Sequence, residues 1–206
     1  MATAALKTSG VADPRQRFID AAVRLFTRHS FAGTSLQMIA DELGVTKAAV
    51  YHHFHTREEL LSAVIEPLYT QIRAVVQAAE AQRARHARAE EMLTGYIDVA
   101  VKYKALMAVL AGDPGVFEAL RHQPEYRQVI TRQLRLLADV QPGPAGHVHA
   151  AVIMAGIAGA VAPGPLDLDD DVLRQHLIET GRRTLGLRAP RRSGAGTTRK
   201  EPVVAG

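Results

Sequence analysis

The chain has 206 residues, 47% of them hydrophobic, 22% charged and none of them cysteine, which excludes a disulfide framework, a thiolate metal site and a cysteine nucleophile. Its formal charge of +4 is concentrated at one end: residues 188–206 hold Arg188, Arg191, Arg192, Arg199 and Lys200 against Glu201 alone, so the rest of the chain is balanced. Overall charge therefore does not make the body of the protein a polyanion binder; any affinity for DNA there has to come from where its Arg and Lys sit.

Residues 1–12 are small and polar, with Lys7 the only charge, and read as a disordered arm. No signal-peptide apolar run is present. Asp13 then reads as the cap of a helix with Pro14 at its first position, and Phe18, Ile19, Ala22, Val23 and Phe26 form its apolar face before Gly33.

Between Thr34 and Leu61 the pattern is that of a helix-turn-helix. Thr34 and Gln37 fit a capping box, Ile39 and Leu43 lie one turn apart, Ala40 permits close helix contact, and Gly44 sits where the backbone has to leave helical geometry. Thr46 caps a second helix, expected over residues 47–54, with Val45 and Val50 closing the small core. Its outward face offers Lys47, Ala48, Tyr51, His52 and His53, residue types suited to base edges and phosphates. Thr56 and Glu59 fit a further capping box. Four histidines, His29, His52, His53 and His55, fall in this region without the spacing of a metal site.

The run T-S-L-x-x-I-A-x-x-L-G-V-T-K-x-x-V-Y-x-H-F-x-x-R-E-E-L, within residues 14–61, resembles the DNA-binding domain of the TetR family of bacterial transcriptional regulators. Two positions depart from the family pattern: Ala48 stands where many members carry glycine, and Arg57 where lysine is usual. The resemblance implies an all-α protein, with a three-helix helix-turn-helix domain at 13–61 and a larger helical ligand-binding and dimerisation domain at 62–187. It implies a double-stranded operator contacted by Thr34, Ser35, Gln37, Thr46, Lys47, Ala48, Tyr51, His52, His53 and Arg57.

From Thr56 the apolar spacing continues through Leu60, Leu61, Val64, Ile65, Leu68, Ile72 and Val75, giving one long helix with Pro67 inside it, where a lost backbone hydrogen bond makes either a hinge or a static kink. A charged run from Glu80 to Glu91 marks a surface turn. One helix is then expected from Met92 to Leu110, closed by Gly112-Asp113-Pro114-Gly115; a short one follows over 116–120, and another runs from Pro124 to about Val140. Gln141 to Gly146 reads as a loop, with the next helix beginning near His147.

The apolar stretch from Val148 to Ala162 falls short of the roughly 20 residues of a membrane span. It carries Ala151, Ala155, Ala158, Gly159 and Ala162 along one face, and the last helix, between Leu168 and Leu187, adds Leu173 and Leu177. These are expected to form half of an intersubunit four-helix bundle. The acidic run from Asp167 to Asp171 reads as the entry to that helix and not as a metal site. Tyr69, Met92, Tyr96, Tyr103, Met107, Phe117 and Met154 are the candidate wall of a site for an apolar or aromatic effector.

No phosphate loop, zincin His-Glu pair or nucleophile motif occurs, so the chain reads as no enzyme, with no cofactor and no metal. The expected protein is a cytoplasmic homodimeric repressor released from DNA by a small molecule. An architectural DNA protein without an effector is the alternative.

Overall fold

Asp13 opens the first helix as its sequence position suggests, accepting a hydrogen bond from Arg15 N at 3.1 Å, and α1 runs Pro14–His29. The computed structural model describes residues 13–162, 166 and 168–187, so the expected arm at 1–12 and basic tail at 188–206 lie outside it. Among the described residues ten helices follow one another without a strand: α1, α2 (Leu36–Leu43), α3 (Lys47–Tyr51), α4 (Arg57–Glu80), α5 (Arg85–Lys102), α6 (Lys104–Gly112), α7 (Pro114–Arg121), α8 (Pro124–Ala138), α9 (Pro144–Val161) and α10 (Asp170–Leu185).

Two cores organise them. The first is built on Phe18, Ala22, Leu25 and Phe26 of α1, closed by Ile39, Ala40, Val50, Phe54, Leu60, Leu61 and Val64 from α2 to the first half of α4. It also takes Val109, Val116 and Leu120 from α6 and α7, which thereby pack on the helix-turn-helix end. The second core joins the second half of α4 to α5, α8, α9 and α10 around Leu93, Ile97, Leu137, Ile153 and Leu185. Two glycines allow its close crossings: a Cβ on Gly95 would lie 2.5 Å from Val75 Cγ1, and one on Gly181 would lie 2.6 Å from Leu93 Cδ1. Ion pairs Arg182–Glu90 and Arg174–Asp98 tie α10 to α5, and Lys104–Asp170 ties it to α6.

Four boundaries differ from the sequence reading. The first cap of the helix-turn-helix is Ser35, whose Oγ accepts from Met38 N at 3.2 Å; Thr34 is buried and its hydroxyl donates to Ser30 O at 2.7 Å. Two adjacent residues with capping hydroxyls leave that choice open in sequence. The second helix ends at Tyr51, three residues early: His53 N–H bonds to Val50 O at 3.0 Å, only three residues back, and the tightened turn carries Phe54 into the core. The helix expected from Met92 to Leu110 breaks at Tyr103 (φ −114°, ψ 38°), and the break lets α5 lie on α4 while α6 turns toward α1 and α9. Finally α9 begins at Pro144, three residues before the expected start, after Gly143 at φ +89°. It is 18 residues long and apolar enough, by length and composition, to cross a membrane, and it packs against α6, α8 and α10 with 28% of that stretch buried.

Candidate functional site

The turn between α2 and α3 is built locally. Gly44 adopts the left-handed conformation (φ 65°, ψ 33°) and Val45 N–H bonds to Ala40 O at 3.0 Å, closing α2 in the manner of a helix C-cap that favours glycine. Thr46 then caps α3 through Ala49 N at 3.3 Å. A five-residue helix has little stability of its own, so α3 is held by these caps and by burial of Val50 and Phe54. Phe18 packs edge-on to Phe54 with ring centroids 6.5 Å apart, and the Arg15 guanidinium lies over the Phe54 ring, 5.2 Å from its centroid.

With its inner face so fixed, α3 leaves Lys47, Ala48, Tyr51 and His52 on the surface. Tyr51 is 40% exposed, and Lys47 Nζ stands 5.3 Å above its ring. Ser35, Gln37, Lys47, Tyr51 and Arg57 line one shallow groove together with His55 and Glu58, two residues outside the expected DNA contacts. Thr46 is exposed beside them. His53 is half-buried against Phe18, ring centroids 5.3 Å apart.

Two expected DNA contacts sit differently. Thr34 is only 2% exposed and turns inward. Arg57 is half-buried, its Nη1 donates to Phe31 O (3.2 Å), Ala32 O (2.9 Å) and Thr34 O (3.3 Å), and its guanidinium lies over the Phe31 ring. One nitrogen of the guanidinium thus braces the α1–α2 connection.

The family model described as bacterial regulatory proteins, tetR family, matches residues 18–64, the stretch from α1 into α4 that builds this surface. Residues 18–64 thus carry a TetR-family DNA-binding domain. Among relatives, it is 44% identical over 62 residues to the HTH-type transcriptional regulator SrpR of Pseudomonas putida, covering 30% of this chain and 29% of that one. It is 41% identical over 54 residues to AcrR of Shigella flexneri, covering 26% of this chain and 25% of AcrR. The matched stretches thus span less than a third of these curated relatives. Over the longer range, the solved structure of SCO3833, a TetR-family member of Streptomyces coelicolor, superposes with a TM-score of 0.66 at 18% identity, covering 90% of this chain and 98% of that one. The ketosteroid transcriptional regulator KstR2 of Mycobacterium tuberculosis superposes with a TM-score of 0.64 at 17% identity, covering 86% and 95%. These two likenesses concern the fold.

Beyond the matched residues the larger helical half forms a cavity of about 650 Å³ between α4, α5, α6, α7, α8 and α9. Of the residues expected at a ligand wall, Tyr69, Tyr96, Met107, Phe117 and Met154 line it. Met92 and Tyr103 do not: Met92 is fully buried in the second core, and Tyr103 sits half-buried at the α5–α6 break under Lys102. The break interrupts the helical periodicity that placed Tyr103 with the others. Ile65, which the sequence places on the apolar stripe of α4, and Asp113, at the helix break, line the cavity as well, with Tyr126 and Gln133, which the sequence pattern did not single out. Tyr96 donates to Met154 O at 3.3 Å, and burial pushes its phenol pKa up, so the hydroxyl stays neutral. Burial likewise raises Tyr126, whose ring stacks on Tyr69 at 6.2 Å.

Asp113 connects this cavity to the DNA-binding end. Its carboxylate accepts from Gly115 N at 2.8 Å, capping α7, and from Phe31 N, in the segment that Arg57 braces. The residues expected at a dimer interface divide. Ala151, Ala155 and Gly159 are exposed on α9, with Val148 and Val152 beside them. Ala158, Ala162 and Leu177 are half-buried, and Leu173 lies in the second core of its own chain because it faces inward from the first turn of α10. Ala155 and Ala158 also line the cavity.

Proposed function

We propose that the chain is a homodimeric, cytoplasmic transcriptional repressor, not an enzyme, whose α3 enters the major groove of a two-fold operator and whose cavity takes an apolar effector that releases it. The observation that carries this reading is the division of α3: Val50 is buried while Lys47, Ala48 and Tyr51 face outward, in the part of the chain that the family model matches. Lys47 and Tyr51 on α3 and Gln37 on α2 contact bases and phosphates, and the N-terminal N–H groups of α2 and α4 receive backbone phosphates.

The exposed apolar stripe Val148, Val152, Ala155, Gly159 of α9 follows the i, i+4, i+7, i+11 spacing of a single helix face and meets its counterpart in the partner. Gly156 and Gly159 have open space where a Cβ would stand, leaving room for close approach. Relay to the DNA runs through Asp113, one carboxylate shared by the cavity wall and the α1–α2 connection. Asp113→Ala is expected to lower unfolding stability by about 1–3 kcal/mol in urea titrations, by leaving the Phe31 and Gly115 N–H groups without their acceptor, and to blunt the effector's action on DNA.

A duplex recovered by selection from a random pool, bound by the protein and challenged with a panel of apolar metabolites, tests the reading. Release by a member of the panel supports an effector-controlled repressor. Unchanged binding across the panel favours an architectural DNA protein.

A further inference from the structure

We propose that Gln133 sets the chemistry of the molecule the cavity takes: a neutral, largely apolar compound with a single carbonyl-type acceptor, received by the carboxamide N–H of Gln133. The inference rests on the reading of this cavity as the effector site. Gln133 of α8 lines the cavity together with Leu68, Ile72, Met107 and Val129, and it is only 1% exposed. Its Nε2 has no hydrogen-bond partner among the described residues. A buried amide N–H left unpaired among apolar side chains costs stability, and leucine of similar size would avoid that cost. A partner arriving with the ligand accounts for the group.

Three of the other polar side chains at the wall are already engaged, while the Tyr69 and Tyr126 hydroxyls have no hydrogen-bond partner among the described residues. The Tyr96 hydroxyl donates to Met154 O, the Asp113 carboxylate holds Phe31 N and Gly115 N, and Glu118, at the exposed rim, pairs with Arg121 and His122. Among the described residues no Lys or Arg lines the cavity, so a carboxylate or phosphate entering it would lose its hydration without meeting a cation. The volume of about 650 Å³ lies within the range of sites for drug-sized molecules.

The test displaces the neutral fluorescent dye N-phenyl-1-naphthylamine from the full chain with three molecules of one shape: benzophenone, which has a carbonyl; diphenylmethane, which has none; and diphenylacetate, which is an anion. Wild type should prefer benzophenone to diphenylmethane by about tenfold, the worth of one buried hydrogen bond, and should reject diphenylacetate. Gln133→Leu and Gln133→Met should bind diphenylmethane as wild type does, lose the preference for the ketone, and melt no lower than wild type. A preference that survives in both variants, or diphenylacetate competing as well as benzophenone, overturns the role of Gln133 and leaves the cavity as the effector site. Unfolding of both variants overturns it too, since Gln133 would then be structural. A wild type from which none of the three displaces the dye overturns both the inference and the reading of the cavity beneath it.

Discussion

Replacing Lys47 and Tyr51 together by alanine is expected to abolish sequence-specific DNA binding while leaving thermal unfolding unchanged. Both side chains stand on the outer face of α3, Lys47 over the Tyr51 ring at 5.3 Å, and neither caps a helix nor enters the first core. Each base or phosphate contact is worth about 1–3 kcal/mol, and a two-fold complex loses every contact twice, so the double variant should retain only weak non-specific affinity. Substitutions at such surface positions alter stability by only about 0.5 kcal/mol. Arg57→Ala should behave in the opposite way, lowering the melting temperature because three carbonyls of the α1–α2 connection lose their donor. Anisotropy with a labelled operator, run beside differential scanning calorimetry, separates the two classes. Wild-type affinity in the Lys47/Tyr51 variant would remove α3 from the interface.

The second large effect concerns α9. Val148 and Val152 are 58% and 57% exposed, one turn apart on the stripe proposed to meet a partner helix. Glutamate forms helix well, so Val148→Glu with Val152→Glu costs a solvated helix little. In a two-fold interface the same change places four carboxylates where apolar surface has to close, and desolvating unpaired charges is expensive. The variant should sediment as a helical monomer, and its operator affinity should fall about a hundredfold or more, because the second half-site no longer binds as part of one molecule. A dimer of unchanged operator affinity would place the interface elsewhere.

Local chemistry was legible in the chain, and convergence in space was not. Gly44, Thr46 and Thr56 announce themselves because a cap or a left-handed turn is decided within four residues, and each sits where the sequence places it. The Thr34–Ser35 pair was ambiguous for the same local reason, since either hydroxyl can cap and only the burial of Thr34 decides. The break at Tyr103 carries neither glycine nor proline; it follows from α6 having to reach α1, a tertiary demand absent from the local pattern. At the cavity, Tyr96 and Met107 were identifiable as large residues on apolar stripes. Gln133 was not, because its meaning depends on six helices bringing apolar walls around it. Arg57 shows the same limit from the other side: it occupies a position where the family usually carries lysine, but what it touches is the backbone 23 to 26 residues earlier.

Selection of bound duplexes from a random pool by the full chain is the most direct measurement of whether this protein reads DNA as a two-fold dimer through α3. The expected product is an inverted repeat whose half-sites lie about one helical turn, or a multiple of it, apart, and whose enrichment disappears when the selection is repeated with the Lys47/Tyr51 double variant. Recovery of no enriched sequence, or of a single asymmetric site bound by one chain and unaffected by that variant, would contradict it.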